Sequence, residues 1–222
     1  MVVRLSDGAA SLTSSATESV PAPPGIALAF FASGFAALIY QVVWQRVLFT
    51  SFGINIEAVT IVVTAFLAGL GAGSIAGGRI SRRGGASLLL AFGIVEIAIG
   101  LYGLISVSLF RWIANYSAGM SQAATGTLTF VLVLVPTFFM GATLPLLVAY
   151  VVAKNKSVGS SVGQLYFVNT AGSALAALMT AAFLMRELGE SKSVAVAATI
   201  NLIVGSSVLL MWLVETRRQS DR

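Results

Sequence analysis

Four stretches of the chain, residues 25–45, 58–78, 157–185 and 193–214, contain no charged residue at all. Each is long enough to cross a hydrocarbon core, which takes about 20 mostly apolar residues in a helix. A further run over 84–110 is broken only by Glu96 and Trp112-flanking Arg111 follows it. The longer uncharged stretch 112–153 divides into a small-polar loop over 115–126 and a helix from about Thr127. The pattern predicts an all-α polytopic membrane protein, a bundle of six transmembrane helices over about 25–47, 56–78, 86–110, 127–152, 158–185 and 193–214. A buried all-helical soluble core would instead require polar faces at helical spacing, and these runs have none.

Composition agrees with this reading. Apolar residues make up 57% of the chain and charged residues 9%, with a mean hydropathy of +0.94, whereas a soluble domain is about 25% charged. Orientation follows from Lys and Arg in the short loops. With the N-terminus inside, the inner segments hold Arg4, then Arg79, Arg82 and Arg83, then Lys154 and Lys156, and finally Arg217, Arg218 and Arg222. The outer loops hold Arg46, Arg111, Arg186 and Lys192. This bias predicts both termini in the cytoplasm, with the bundle in a bacterial cytoplasmic (inner) membrane.

The net charge of +5 does not point to nucleic acid, because the basic residues are spread over loop ends without a patch or binding motif. The chain has no Cys and no His. That removes disulfides, thiolate chemistry, haem ligation by His and the usual zinc sites, and it leaves neither a Ser-His-Asp nor a Cys-His catalytic set. No cofactor, metal site or catalytic residue is expected. Residues 1–24, rich in Ser, Thr, Ala and Pro, lack the apolar region of a signal peptide and read as a disordered cytoplasmic tail. Residues 25–214 form the membrane domain and 215–222 a basic C-terminal tail.

The segment "FLAGLGAGSIAGGR" (66–79) satisfies the dinucleotide pattern G-x-G-x-x-G/A at Gly71, Gly73 and Ala76. A phosphate-binding turn needs an amphipathic helix after it, and here only "SIAGG" precedes Arg79, Arg82 and Arg83. Gly69, Gly73 and Gly77 recur every four residues, which predicts a helix face on which a second membrane helix packs closely. In the fourth helix, Pro136 and Pro145 each free a backbone carbonyl that neighbouring helices or hydroxyls must satisfy, with Thr137 and Thr143 at hand.

Polar groups inside the spans are the functional candidates, since an ionisable side chain at the bilayer centre costs about 2.5–3.5 kcal/mol on insertion scales. Glu96 lies far from either predicted membrane edge, Asn169 at a similar depth, and Gln41 and Asn201 nearer the outer face. Their depths allow a polar pocket between helices, with Tyr40 and Tyr166 nearby. Glu96, Asn169, Gln41 and Tyr166 are the candidate substrate-binding residues. The same groups can instead hydrogen-bond to one another and fix helix packing, and the Glu96 carboxyl can bind a cation, carry a proton or serve as a buried donor.

Three stretches together, "SGFAALIYQVVWQRVLF" (33–49), "PTFFMGATLPLL" (136–147) and "VGQLYFVNTAGSALAAL" (162–178), resemble the transmembrane region of membrane-bound spermidine synthase-like proteins. "FLAGLGAGSIAGGR" and "EIAIGLYG" (96–103) fit the same pattern. In that family the membrane region commonly precedes a soluble aminopropyltransferase domain of methyltransferase-like fold, which binds decarboxylated S-adenosylmethionine and extends putrescine to spermidine. The resemblance implies a membrane module without that domain, so none of its catalytic residues carries over. The loop "GGRISRRGG" (77–85) also resembles the signature loop of major-facilitator transporters at Gly77, Arg82 and Gly84, with Ser81 in place of Asp and Gly85 in place of a basic residue.

These resemblances imply a membrane subunit that anchors or scaffolds a soluble or membrane partner. The alternatives are a transporter of a small cation such as a polyamine, forming half of a major-facilitator-like unit, and a component of a membrane-bound aminopropyltransferase. The expected partners are the lipid bilayer and a protein partner or a second copy.

Overall fold

The computed structural model describes residues 22–52, 56–82, 84–85, 87–117, 119–155 and 157–221. Residues 1–21 of the tail expected over 1–24, and the basic residues Arg4, Arg83, Lys156 and Arg222, lie outside them. Six helices build the fold: α1 (Pro24–Phe52), α2 (Ile56–Ser81), α3 (Ser87–Tyr116), α4 (Gln122–Asn155), α5 (Val158–Met179) and α6 (Gly189–Ser220). Between α5 and α6 the chain runs through a π-helical turn (Thr180–Leu184) and a short α-helical turn (Met185–Glu187). No strand occurs among the described residues, and six spans are long and apolar enough to cross a membrane. The fold is the all-α six-helix bundle that the uncharged runs predict.

The helices overrun their predicted ends. α1 continues to Phe52, α4 starts at Gln122 so that residues 122–126 of the expected 115–126 loop are helical, and α6 carries Arg217 and Arg218 on its last turns. A charge ends an apolar run but not a backbone hydrogen-bond ladder, and Arg and Lys are good helix formers. The 34 residues of α4 extend about 51 Å at 1.5 Å per residue, well beyond a hydrocarbon core of about 30 Å. Leu67, Phe167, Leu178 and Leu210 are each more than half exposed, an apolar outer surface suited to lipid rather than water.

Glycines set how closely the helices approach. A Cβ built on Gly73 would lie 1.9 Å from the Phe138 carbonyl oxygen, one on Gly69 1.9 Å from Thr137 Oγ1, and one on Gly77 2.7 Å from the Ala142 carbonyl oxygen. The three glycines therefore bring α2 against the backbone of α4. Two further seams follow the same logic. A Cβ on Gly205 of α6 would lie 2.8 Å from the Gly93 carbonyl oxygen of α3, and one on Gly172 of α5 would lie 2.2 Å from the Phe31 carbonyl oxygen of α1. Close backbone approach supplies the packing contacts that replace the hydrophobic drive missing in lipid.

Both prolines of α4 sit inside a continuous helix, and each leaves the carbonyl four residues earlier without its helical partner. Those carbonyls are Leu132 and Gly141. The Tyr102 hydroxyl of α3 donates to the Leu132 oxygen at 2.6 Å, and the Ser74 hydroxyl of α2 donates to the Gly141 oxygen at 3.0 Å. Thr137 and Thr143, expected to serve here, instead bond within α4 to Val133 and to Met140. Their side chains hang over their own preceding turn, which directs them to the carbonyls three or four residues back. Tyr102→Phe and Ser74→Ala will each lower unfolding stability in detergent by about 1–3 kcal/mol, the cost of an orphaned buried group. The two losses will add, because the hydroxyls share no partner and their acceptors, Leu132 and Gly141, lie about 13 Å apart along α4. Unchanged denaturation in the single variants would mean that the freed carbonyls find other partners.

The interior has two apolar clusters. In one, Trp44 stacks on Tyr40 at 4.7 Å, meets Phe110 edge-on at 5.8 Å and donates through Nε1 to Ser106 at 2.8 Å. In the other, Ile26 and Phe30 from the start of α1 pack with Leu88 and Phe92 of α3, Leu146 of α4 and Val208 of α6. The start of α1 and the end of α6 thus share one end of the bundle. There Lys154 is hydrogen-bonded to both Tyr150 and Glu215, while at the opposite end Glu190 receives Arg111 at 2.8 Å and lies 3.6 Å from Arg46. The arginines of the second cluster are more than half exposed, so it contributes little to stability.

Candidate functional site: a polar chamber in the bundle

A third of the way along α3, Glu96 is completely buried. Ser33 Oγ of α1 donates to its Oε1 at 2.5 Å, and Asn201 Nδ2 of α6 donates to its Oε2 at 2.5 Å. Both donors are neutral, and among the described residues no Lys or Arg pairs with this carboxyl. Three helices are tied together through one acidic group.

Ser33 and Asn201 also line a chamber of about 150 Å³. Its polar lining comes from Ser33 and Gln41 of α1, Thr143 of α4, Asn169 and Ser173 of α5, and Asn201 of α6. Its apolar lining comes from Ala37 and Leu38 of α1, Phe66 and Leu70 of α2, Ile99 of α3 and Met140 of α4. Helical spacing explains the convergence: Ser33, Ala37 and Gln41 recur every four residues along one face of α1, and Asn169 and Ser173 do the same on α5.

Asn169 reaches α1 because Gly34 leaves room for it. A Cβ on Gly34 would lie 2.6 Å from Asn169 Nδ2. With that space open, Asn169 Nδ2 donates to the Phe30 carbonyl oxygen at 3.1 Å and Ser173 Oγ to the Gly34 carbonyl oxygen at 3.0 Å.

Of the candidates drawn from sequence, Gln41 and Asn169 line the chamber and Glu96 stands behind its wall. Tyr166 does not belong to it: its side chain is 62% exposed and absent from the lining. Leu165 is the buried residue of that pair, and one residue along a helix turns a side chain about 100° away. Tyr40 is fully buried against Gly103 and stacked on Trp44, and its hydroxyl has no partner among the described residues. Ser33 and Ser173 do not stand out in the sequence, and Thr143 stands out there only as a partner for a carbonyl freed by proline. Their signal was spacing, since Ser33 precedes Gln41 by eight residues and Ser173 follows Asn169 by four, but a lone hydroxyl in an apolar helix is unremarkable by composition.

Among the described residues no three His, Cys, Asp or Glu side chains come together. What the chamber offers is a hydrogen-bonding wall of amides and hydroxyls, two of which also hold Glu96, next to an apolar wall.

Over 200 aligned residues, which take in 88% of it, the chain is 24% identical to Polyamine aminopropyltransferase 1 of Streptomyces coelicolor. The match covers 35% of that protein, so the chain spans about a third of the length of the relative it matches. No family model and no solved structure matches the chain.

Proposed function

We propose that this chain is the integral membrane module of a spermidine synthase-like system, anchoring or scaffolding a partner at the cytoplasmic face. The observation that carries the reading is the distribution of the similarity. Nearly the whole six-helix bundle matches a protein named as a polyamine aminopropyltransferase, yet it accounts for only about a third of that protein. The positive-inside bias supports cytoplasmic termini, and the start of α1 and the end of α6 share one end of the bundle, where a soluble partner meets them from one side. In the fuller form of the reading, the assembled complex transfers aminopropyl groups and this chain supplies its membrane part.

The test is purification of the full-length chain from native membranes in mild detergent, with mass spectrometry and an aminopropyl-transfer assay on the eluate. A second protein is expected in stoichiometric amount, with turnover by the complex and none by this chain alone. A chain that always elutes without a partner would sink the anchoring role, and turnover by the isolated chain would replace it with an enzymatic one.

A further inference from the structure

We propose that Glu96 is a proton-binding site inside the bundle, taking up and releasing a proton through the Ser33 hydroxyl and water in the neighbouring chamber. The site is independent of the anchoring role.

The partners of Glu96 serve either charge state. On an ionised carboxylate, Ser33 Oγ donates to Oε1 and Asn201 Nδ2 donates to Oε2. A protonated carboxyl has a hydrogen to give, and each partner can take it. A serine hydroxyl accepts as well as donates. Asn201 is 1% exposed and its Oδ1 has no partner among the described residues, and a half-turn of the amide brings that acceptor to the place of Nδ2. A lysine, an arginine or a backbone N–H at either oxygen would instead favour the carboxylate, since none of them accepts. Among the described residues no charged side chain acts on Glu96. Tyr40 of α1 is the titratable side chain close enough to feel its charge, and α4, α5 and α6 bring none.

Ser33 joins this carboxyl to the chamber, which it also lines. Beyond its backbone a serine has only Cβ and Oγ, so the chamber comes up to the hydroxyl or to the carbon that bears it. The chamber suits water. Its volume is about 150 Å³, against about 30 Å³ for a water molecule in the liquid, and the amides of Gln41 and Asn169 and the hydroxyls of Thr143 and Ser173 give water both donors and acceptors. A hydronium there passes a proton to Ser33 Oγ as the Ser33 hydrogen moves to Glu96 Oε1. Water, a neutral serine and a neutral carboxylic acid remain, and release runs the same steps backwards. Asn201 also lines the chamber and holds the carboxyl, but its amide would have to pass through an imidic acid to relay a proton, so Ser33 is the route.

Infrared difference spectroscopy of the full-length chain in detergent tests this. A protonated carboxyl has a C=O stretch apart from the amide bands, and the stretch shifts when deuterium replaces its hydrogen. Wild type minus Glu96→Gln isolates the Glu96 signal, with Glu96→Asp in its place should the glutamine variant not fold. The signal is expected to appear reversibly on acidification between about pH 9 and pH 4, the range over which buried and free glutamates titrate. At acid pH in heavy water it is expected to shift while the helix amides still hold their hydrogens, which the amide band of the same spectrum records. Ser33→Ala keeps the carboxyl and is expected to slow that shift at least about tenfold, and Ser33→Thr, which restores a hydroxyl, to recover it. The assignment is overturned by a Glu96 signal that is absent or constant across the pH range, by a shift that waits for the helix amides to exchange, or by Ser33→Ala exchanging as fast as the wild type. Ser33→Thr exchanging as slowly as Ser33→Ala would overturn the relay in the same way. Should Ser33→Ala fail to fold, the timing of carboxyl against amide exchange in the wild type decides alone.

Discussion

Valine at Gly73 will lower the thermal midpoint of the protein in detergent, and alanine at Gly71, two residues away, will not. The physical difference lies in what faces each position. A Cβ on Gly73 would stand 1.9 Å from the Phe138 carbonyl oxygen, whereas nothing lies within 4 Å of a Cβ on Gly71. The obstacle at Gly73 is backbone, which cannot swing aside as a long side chain can. α2 and α4 must therefore separate, and the separation spreads along the seam to Gly69, Gly77 and Gly141, at each of which a Cβ would lie closer than 3 Å to the facing helix. It also strains the adjacent Ser74 hydrogen bond to the Gly141 carbonyl. Overpacking of this kind costs about 1–3 kcal/mol and sometimes more. A Gly73→Val protein that melts with the wild type would mean that α2 and α4 do not meet as described.

The second large effect belongs to Glu96. Glu96→Leu removes both acceptors of a buried pair of donors, Ser33 Oγ and Asn201 Nδ2. Leaving a buried donor unsatisfied costs about 1–3 kcal/mol for each group, so the single variant will be clearly destabilised. Replacing all three partners by apolar residues of similar volume, as in Glu96→Leu with Ser33→Ala and Asn201→Leu, will recover much of the loss, because no orphaned group remains. Glu96→Gln will lie between the single variant and the wild type. Denaturation of the four proteins in the same detergent gives the comparison. A Glu96→Leu variant as stable as the wild type would contradict this account and would mean that the carboxyl is held at a net cost to folding.

The spans were legible because a charge inside a hydrocarbon core is costly, so its absence over some twenty residues is a strong signal. For the same reason Glu96, Gln41, Asn169 and Asn201 stood out as polar groups in apolar runs. Which face of a helix each occupies was less legible. Tyr166 falls three residues before Asn169, near enough in sequence to share its face, yet Leu165 takes the inward position and Tyr166 is exposed. The close spacing of Gly69, Gly73 and Gly77 advertised one seam. Gly93 and Gly100, seven residues apart, and the solitary Gly34 and Gly172 gave no such pattern, although they line the other two. The need to satisfy the carbonyls freed by Pro136 and Pro145 was foreseeable, but Tyr102 and Ser74 were not, because their approach depends on how the helices pack. The π-helical turn at Thr180–Leu184 falls in a run, "TAAFL", with no Gly or Pro to mark it.

The glycine seams also carry a sense of time. Each joins helices that are not consecutive in the chain: α2 with α4, α1 with α5, α3 with α6. A chain made from its N-terminus at about 5–20 residues per second closes none of these three seams between helices that enter the membrane one after the other. α2 waits for α4, α1 for α5, and α3 for the last helix. Until α6 arrives, Glu96 has Ser33 from α1 but not Asn201, so the costliest side chain of the bundle spends most of synthesis half-satisfied. The bundle is finished by its final span, and a nascent chain halted after α4 holds one seam of three.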